Sequence, residues 1–429
     1  MKVTDIERII VDVPFTLRQQ RITEREVYNW SIIELCKVST DTGHVGWGET
    51  VIHYTWSRVT DDAVARVIGQ NPAQIMNDDS LGAGLQMALF DVVGKILEVP
   101  VYTLLGNKVR NQVPISWWSI DASPADWAAE AKDAVENGYT SFKLKPRPWQ
   151  DIVKQVDAIN AVVPPDFKLD LDPNSTLQNA ENAIPVIHKL EKYDIVAIFE
   201  SPIPQDDIPG NKKIRREINS QVAMHFGSPP YLIGVQEEVC DGYVICAGKS
   251  EAIRQGYLSA EADKPFWLQL VGNGLTTTWA AHLGAILTHA TWPAITCINL
   301  YSNQLLTQEI KVVDGHHTIP EKPGLGVTVD LDAVERYRIP AQKLEPFLKT
   351  GDLYNHPQPR IISTIVYPDG NCIHMGASSQ GYGFFTSGQG PAYVEGVYLD
   401  PWHDDGTAEW NDLFERALKE PVRSQHQPR

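Results

Sequence analysis

The chain has 429 residues, of which 43% are hydrophobic and 21% charged, the balance of a folded globular protein with room for more than one domain. Its 37 basic and 54 acidic residues give a net charge of −17, which excludes a generally nucleic-acid-binding or anionic-membrane-binding surface. No apolar run is long enough to span a bilayer. The opening MKVTDIERIIVDVPF lacks the charged segment, long apolar run and cleavage site of a secretory signal. The five cysteines (Cys36, Cys240, Cys246, Cys297, Cys372) include no CxxC pair, so a reduced, cytoplasmic protein without structural zinc is expected.

The first 60 or so residues read as strands. Residues 3–12 and 29–37 are rich in β-branched and aromatic side chains, and the DTG turn at 41–43 separates the second run from HVGWGET. A long connection at 14–27 joins the first two strands of an antiparallel trio. Residues 80–97 then place Leu85, Leu89, Val92 and Ile96 on one helical face, with Ser80 as N-cap. Residues 1–112 are therefore expected to form an N-terminal α+β domain.

From residue 113 short apolar runs alternate with helical stretches. The runs are VPISWWSI, SFKLK, FKLDLD, IVAIFE, QVAMHF, GYVIC, FWLQLV and AITCINL, and their ends from residue 145 onward recur every 21–28 residues. That is the length of one βα unit, so residues 113–320 predict an α/β fold of the TIM type, a (β/α) barrel. A doubly wound open sheet competes, but no GxGxxG or GxxxxGK[ST] turn is present. Beyond 320, residues 361–367 and 371–375 flank PDG as a β-hairpin. A Gly/Ser-rich stretch at 376–390, a helix at 407–419 and a loose tail complete a C-terminal segment, 321–429.

Lys145, Asp172, Glu200 and His225 each close an apolar run. In a barrel all strand C-termini point to one mouth, where active sites are built. One such charge merely begins a solvated loop as often as not. Four on consecutive strands point to function. Asp172 and Glu200, on neighbouring strands, suit a hard divalent cation such as Mg²⁺. A lysine beside that cation and beside a second lysine loses its proton more readily, which suits Lys145 to the role of general base. Base beside Lewis acid fits removal of the proton α to a carboxylate.

Several of these segments carry a resemblance. MALFDVVGKILEVPVYTLLG at 87–106, the KxK of Lys143 and Lys145, Asp172-Pro173-Asn174, Glu200-Ser201-Pro202 and PEKPGLGV at 320–327 together resemble the enolase superfamily, mandelate racemase/muconate lactonizing enzyme group. The resemblance runs from about residue 3 to 335. It implies a (β/α)₇β barrel capped by the N-terminal domain, with Mg²⁺ and α-proton abstraction. It further implies that Lys145 is the base and that Lys143 binds the substrate carboxylate and tunes its neighbour. Residues 14–27 and 51–58 would close over the mouth and select the substrate, with His53, Tyr54 and Trp56 as candidate contacts, although surface aromatics are the plainer reading of those three. A homo-oligomer is the family expectation.

Two positions depart from the family pattern. His225 stands where a third carboxylate or amide ligand is expected. It can serve as ligand, which would favour Mn²⁺ or another softer divalent ion, as a hydrogen-bonding site residue, or as a core histidine. On the opposite wall, Cys246 and Gln269 align with positions that carry a second base or its partner. Neither is an obvious base, and buried cysteines are mostly inert. Gln269, Tyr301 and Asn299 can donate hydrogen bonds to substrate oxygens. One base argues against racemisation and permits dehydration. Asn174, Gln269, Asn273 and Tyr301 would suit a polyhydroxy acid. The sequence therefore predicts a metal-dependent lyase acting on a small carboxylic acid, a sugar-acid dehydratase giving a 2-keto-3-deoxy acid. An epimerase or racemase, and a ligand-binding relative without catalysis, are the alternatives. The segment from 355 is outside the resemblance, and either packing on the cap or a subunit contact would account for it.

Overall fold

A computed structural model describes residues 1–350 and 352–425. Val3–Asp12, Ile32–Thr40 and Val45–Val51 form an antiparallel sheet in chain order, with Ile9 opposite Leu35 and Leu35 opposite Glu49. The 14–27 connection contains a short helix, Leu17–Thr23. The helix Ala83–Ile96 lies against the third strand. Gly46 and Gly48 allow that approach, since a Cβ at either would fall 2.1 Å from a helix carbonyl oxygen. Asp91 then ties three segments together. Its carboxylate accepts from Trp47 N (2.8 Å), Leu325 N (2.8 Å) and Lys95 Nζ (2.7 Å). The helix begins later than expected. Ser80 sits in a 3₁₀ turn and donates to Asp78, and Gly82, at φ 87°, sets the entry to the helix instead.

Seven parallel strands follow: Trp117–Ser119, Ser141–Leu144, Lys168–Leu171, Val196–Glu200, Gln221–His225, Gly242–Ile245 and Phe266–Leu268. They pair strictly in chain order, with no reversal of direction across the sheet. A doubly wound sheet needs such a reversal, so the order excludes it. The eighth run reaches both edges. Ala294 bridges Ile115 and Ile295 bridges Gln269, each in parallel. That run goes no further as a strand, because Cys297 turns left-handed (φ 60°) into the 3₁₀ turn Ile298–Leu300.

The C-terminal segment is more ordered than its composition suggested. Ile361–Val366 and Asn371–Met375 form the expected hairpin, flanked by Tyr398–His403 and Val422–Gln425 in a four-stranded antiparallel sheet. The tail is thus a paired strand up to Gln425, and residues 426–429 lie outside the described residues. The Gly/Ser-rich stretch holds a helix, Ser378–Thr386, and the expected last helix spans Ala408–Ala417. This unit packs on the parallel-sheet domain. Trp149 joins Ile365, Ile373, Met375 and Phe385 in one apolar cluster. Gln178 donates to the carbonyls of Phe385 (2.8 Å) and Gly390 (2.7 Å). The connecting segment returns to the first sheet, where Ile339 and Leu344 pack on Ile10, Ile32 and Ile52.

Cys36, Cys240, Cys246 and Cys297 carry free thiols. Among the described residues no helix is long and apolar enough to cross a membrane.

Candidate active site

The parallel strands deliver charged side chains at their C-terminal ends. Lys143 is fully buried, donates to Glu200 Oε2, and lies 4.5 Å from the centre of the Trp267 ring. Burial alone would push its ammonium down, but Glu200, Asp172 and Asp170 outweigh burial and hold it above the ordinary value. Two residues on, Lys145 donates to Asp172 Oδ2. Burial works against the Glu200 carboxylate too, yet Lys143, Lys145 and His225 together hold it well below the usual range. His225 is half-exposed, with Nε2 3.0 Å from Glu200 Oε1. That contact is off-axis, and Glu200 Oε1 has no aligned hydrogen-bond donor.

Asp170 belongs to this group although its sequence position gave no signal beyond alternation with Asp172. It is fully buried, and its Oδ2 has no hydrogen-bond partner. Burial, with Glu200 adding to it and Lys143 opposing, pushes its carboxyl up to about 7.

A cavity of about 490 Å³ opens at these strand ends. Lys145, Asn174 and Gln269 line it from the parallel sheet. Glu26, Trp30 and Tyr54 line it from the N-terminal domain, and Tyr382 from the C-terminal unit. Asn174, Ser175 and Ser201 all face it with left-handed backbones (φ 49°, 67° and 46°), a costly conformation for such residues that concentrates at functional sites. The Asp172 side chain stabilises the first of these turns, since its Oδ1 accepts from Asn174 N at 2.8 Å.

Other expected contacts lie elsewhere. Asn273 is buried at the start of the helix Gly274–Ile286, where its N–H donates to Glu49 (2.6 Å) and its amide to the Asn303 carbonyl (2.9 Å). Tyr301 is buried, its hydroxyl on the Trp30 carbonyl (2.9 Å), and it lines a separate groove of about 890 Å³. Asn299, beside that groove, is taken up by the Trp118 backbone on both its amide atoms (3.1 and 2.9 Å). The His53 ring is turned to the Tyr354 carbonyl (2.6 Å), and Trp56 is 73% exposed on the surface. Of the three cap aromatics, only Tyr54 reaches the cavity. Its hydroxyl lies 3.0 Å from Cys246 Sγ. Burial pushes the Cys246 thiol up, so it stays protonated near neutrality.

Three cavity residues were not read from the sequence: Arg147, Glu26 and Tyr382. Arg147 donates to the carbonyls of Pro146 and Asp172 and to Asn174 Oδ1, each at 3.0 Å. Its guanidinium lies 4.9 Å from the Tyr382 ring centre. Burial pushes the Glu26 carboxyl up. The charge of Arg147, two residues beyond Lys145, was the one available signal.

Comparison with known proteins agrees with this architecture. A family model described as enolase C-terminal domain-like matches residues 126–333. The chain is 26% identical over 372 residues to an N-succinyl-L-Arg/Lys racemase of Bacillus cereus, covering 79% of this chain and 98% of that one. It is 26% identical over 373 residues to a D-xylonate dehydratase of Haloferax volcanii, covering 74% and 87%. The crystal structure of a mandelate racemase/muconate lactonizing family protein from Azoarcus sp. EbN1 superposes with a TM-score of 0.64 at 24% identity, over 80% of this chain and 98% of that one, and shares the fold. Residues 126–333 belong to the enolase C-terminal domain-like family, and these matches together support membership of the enolase superfamily, mandelate racemase/muconate lactonizing enzyme group. The chain is an enzyme whose chemistry is of that superfamily's kind.

Proposed function

We propose that the chain is a metal-dependent lyase that removes the proton α to a carboxylate and dehydrates a sugar acid to a 2-keto-3-deoxy acid. The parallel domain is read as the family's (β/α)₇β barrel, with the N-terminal sheet and helix as its cap. The observation that carries the reading is one-sidedness. Lys143, Lys145, Asp172 and Glu200 crowd neighbouring strand ends, whereas the facing wall offers Gln269 and Tyr54, with Cys246 behind it on the Tyr54 hydroxyl. Racemisation needs a proton acceptor on each face of the substrate carbon. That wall provides neither lysine nor histidine, and its thiol stays protonated.

Asp172 and Glu200 fit a hard cation by donor chemistry: two buried carboxylates, one with an oxygen that has no aligned donor. Among the described residues no three His, Cys, Asp or Glu side chains converge as a complete cage. Water and substrate oxygens would therefore make up the remaining ligands, with His225 as the nearest further donor. A divalent ion held by Asp172 and Glu200 would supply Lewis-acid stabilisation of charge on the substrate carboxylate.

The chain's own residues do the rest. Lys143, buried and positively charged, draws the carboxylate end of the substrate toward the strand ends. Lys145 Nζ takes the α-proton, and the electron pair left on the α-carbon expels the β-hydroxyl. The departing hydroxyl takes a proton back from Lys145 and leaves as water, and the enol so formed tautomerises to the 2-keto acid. Trp30, Trp118 and Tyr382 shield the cavity from bulk water.

The test is a sugar-acid screen with the full-length protein and Mg²⁺ in deuterated water. Release of a 2-keto acid that disappears in Lys145→Met supports the reading. Deuterium incorporation without a 2-keto product would replace it with epimerisation. Ligand binding with neither would leave only a binding protein.

A further inference from the structure

Resting on the reading of this cavity as the active site, we propose that Arg147, walled by Tyr382 of the C-terminal unit, binds a second anionic group of the substrate. The substrate is then a doubly anionic acid, and the C-terminal unit takes part in its selection.

Arg147 is 3% exposed, yet its hydrogen bonds go only to two backbone carbonyls and one amide oxygen, all neutral. Its Nε has no partner. Among the described residues no carboxylate lies within 4.0 Å of it, whereas the other strongly buried cations each have one. Arg25 meets Asp121 at 2.5 Å, Lys249 meets Asp79 at 3.9 Å, and Lys143 and Lys145 meet Glu200 and Asp172. Burial works against its charge; Tyr382, Glu26, Asp121 and Asp172 favour it through space and outweigh burial, but none of the three carboxylates pairs with the guanidinium directly. An anionic ligand in the cavity would make that direct pair, and the planar fork of Arg suits carboxylate and phosphate alike.

The nearby acids do not fill this role. Asp121 is engaged by Arg25 (2.5 Å) and Trp149 Nε1 (2.7 Å). Glu26 lines the cavity without pairing with Arg147, and burial pushes its carboxyl up.

Tyr382 brings in the C-terminal unit. Its ring covers the guanidinium at 4.9 Å and lines the same cavity. The Gln178 bonds to Phe385 and Gly390 and the Asp151 bonds to Tyr393 (3.2 Å) and Gly396 (2.7 Å) pin this unit to the loops beside Lys145 and Asp172. The family match ends at residue 333, so this wall is an addition to the matched domain.

The experiment is calorimetric binding to the full-length protein in Mg²⁺, with three probes on one carbon chain: D-gluconate, D-glucarate and 6-phospho-D-gluconate, each repeated in the galacto configuration. Glucarate or phosphogluconate should bind at least about tenfold tighter than gluconate, the scale of one charge-assisted hydrogen bond. Whichever wins identifies the anion as carboxylate or phosphate. Arg147→Met should weaken glucarate or phosphogluconate at least about tenfold more than it weakens gluconate, and Tyr382→Ala should reduce the preference. Arg147→Lys keeps the charge and should keep part of the preference, so the test survives a misfolded Met variant. Equal affinity of the wild type for the probes, equal loss for all of them in an Arg147→Met variant that is folded by circular dichroism, or no binding of any by the wild type would overturn the proposal. A retained preference without 2-keto product from any acid would leave the anion subsite standing and remove the lyase reading.

Discussion

The two walls of the cavity differ in kind. On one side, four fully or nearly buried charges form two lysine–carboxylate pairs across three consecutive strands. On the other, Tyr54 and Cys246 hydrogen-bond to each other, and Gln269 is neutral. Buried charge is costly, and a fold retains it where chemistry or specificity needs it. The contrast teaches that proton transfer and charge stabilisation belong to one face of the substrate. The other face supplies shape and hydrogen bonds.

Removing the base should break the contrast most completely. Lys145→Met is expected to lower kcat by about 10³- to 10⁴-fold, the upper range for general-base loss, with the fold intact by circular dichroism. A loss below about tenfold would move the base to the other wall. Glu200→Gln acts on the same side through stability. It removes the one carboxylate paired with buried Lys143 and leaves only Asp172 and Asp170 to offset its charge, which should cost about 3–5 kcal/mol in urea denaturation at neutral pH. The sign follows from both partners. The depressed Glu200 stabilises above the ordinary carboxylate value, and that contribution disappears as pH falls through its lowered folded value. The raised Lys143 stabilises below 10.5, and that contribution disappears as pH rises through its raised folded value. The pair thus contributes across the whole neutral range. A variant as stable as wild type at pH 7 would show that it is not a coupled pair.

The charged wall was legible in the sequence because strand ends of a parallel sheet share one mouth. Lys145, Asp172, Glu200 and His225 each close an apolar run, and all four arrive at that end. Polarity at a strand end does not say which way a side chain turns. Tyr301 and Asn273 also follow apolar runs, but one hydroxyl is taken by a backbone carbonyl and the other residue starts a helix over Glu49. Arg147, Glu26 and Tyr382 were illegible for another reason. They come from a loop, from the N-terminal domain and from the C-terminal unit, and no local periodicity links positions so far apart in the chain.

Asp170 sharpens the comparison from within the charged wall. Between 3.8 and about 7 the folded chain holds a proton there that the unfolded chain has released. Stability must therefore fall as pH rises through that window. Asp170→Asn removes the titration and should flatten the slope, a difference on the order of one to a few kcal/mol between pH 4 and pH 8. Unfolding midpoints at several pH values check it. An unchanged slope would mean that Asp170 is ionised in the folded protein and that its neighbours carry the pH dependence.

The smallest effects belong to the neutral wall, and their smallness is what makes them informative. Gln269 lines the cavity and can offer one neutral hydrogen bond, so Gln269→Ala should cost about three- to tenfold in kcat/KM. Cys246→Ala removes a thiol that burial keeps protonated and that contacts Tyr54 at 3.0 Å, so it should cost no more. These losses should appear in KM more than in kcat, because shape and hydrogen bonding act on bound substrate throughout the reaction. A kcat loss near 10³-fold in Cys246→Ala would instead put an acid–base group on each face. The symmetry that epimerisation requires would then be present, and the dehydratase reading would give way to it.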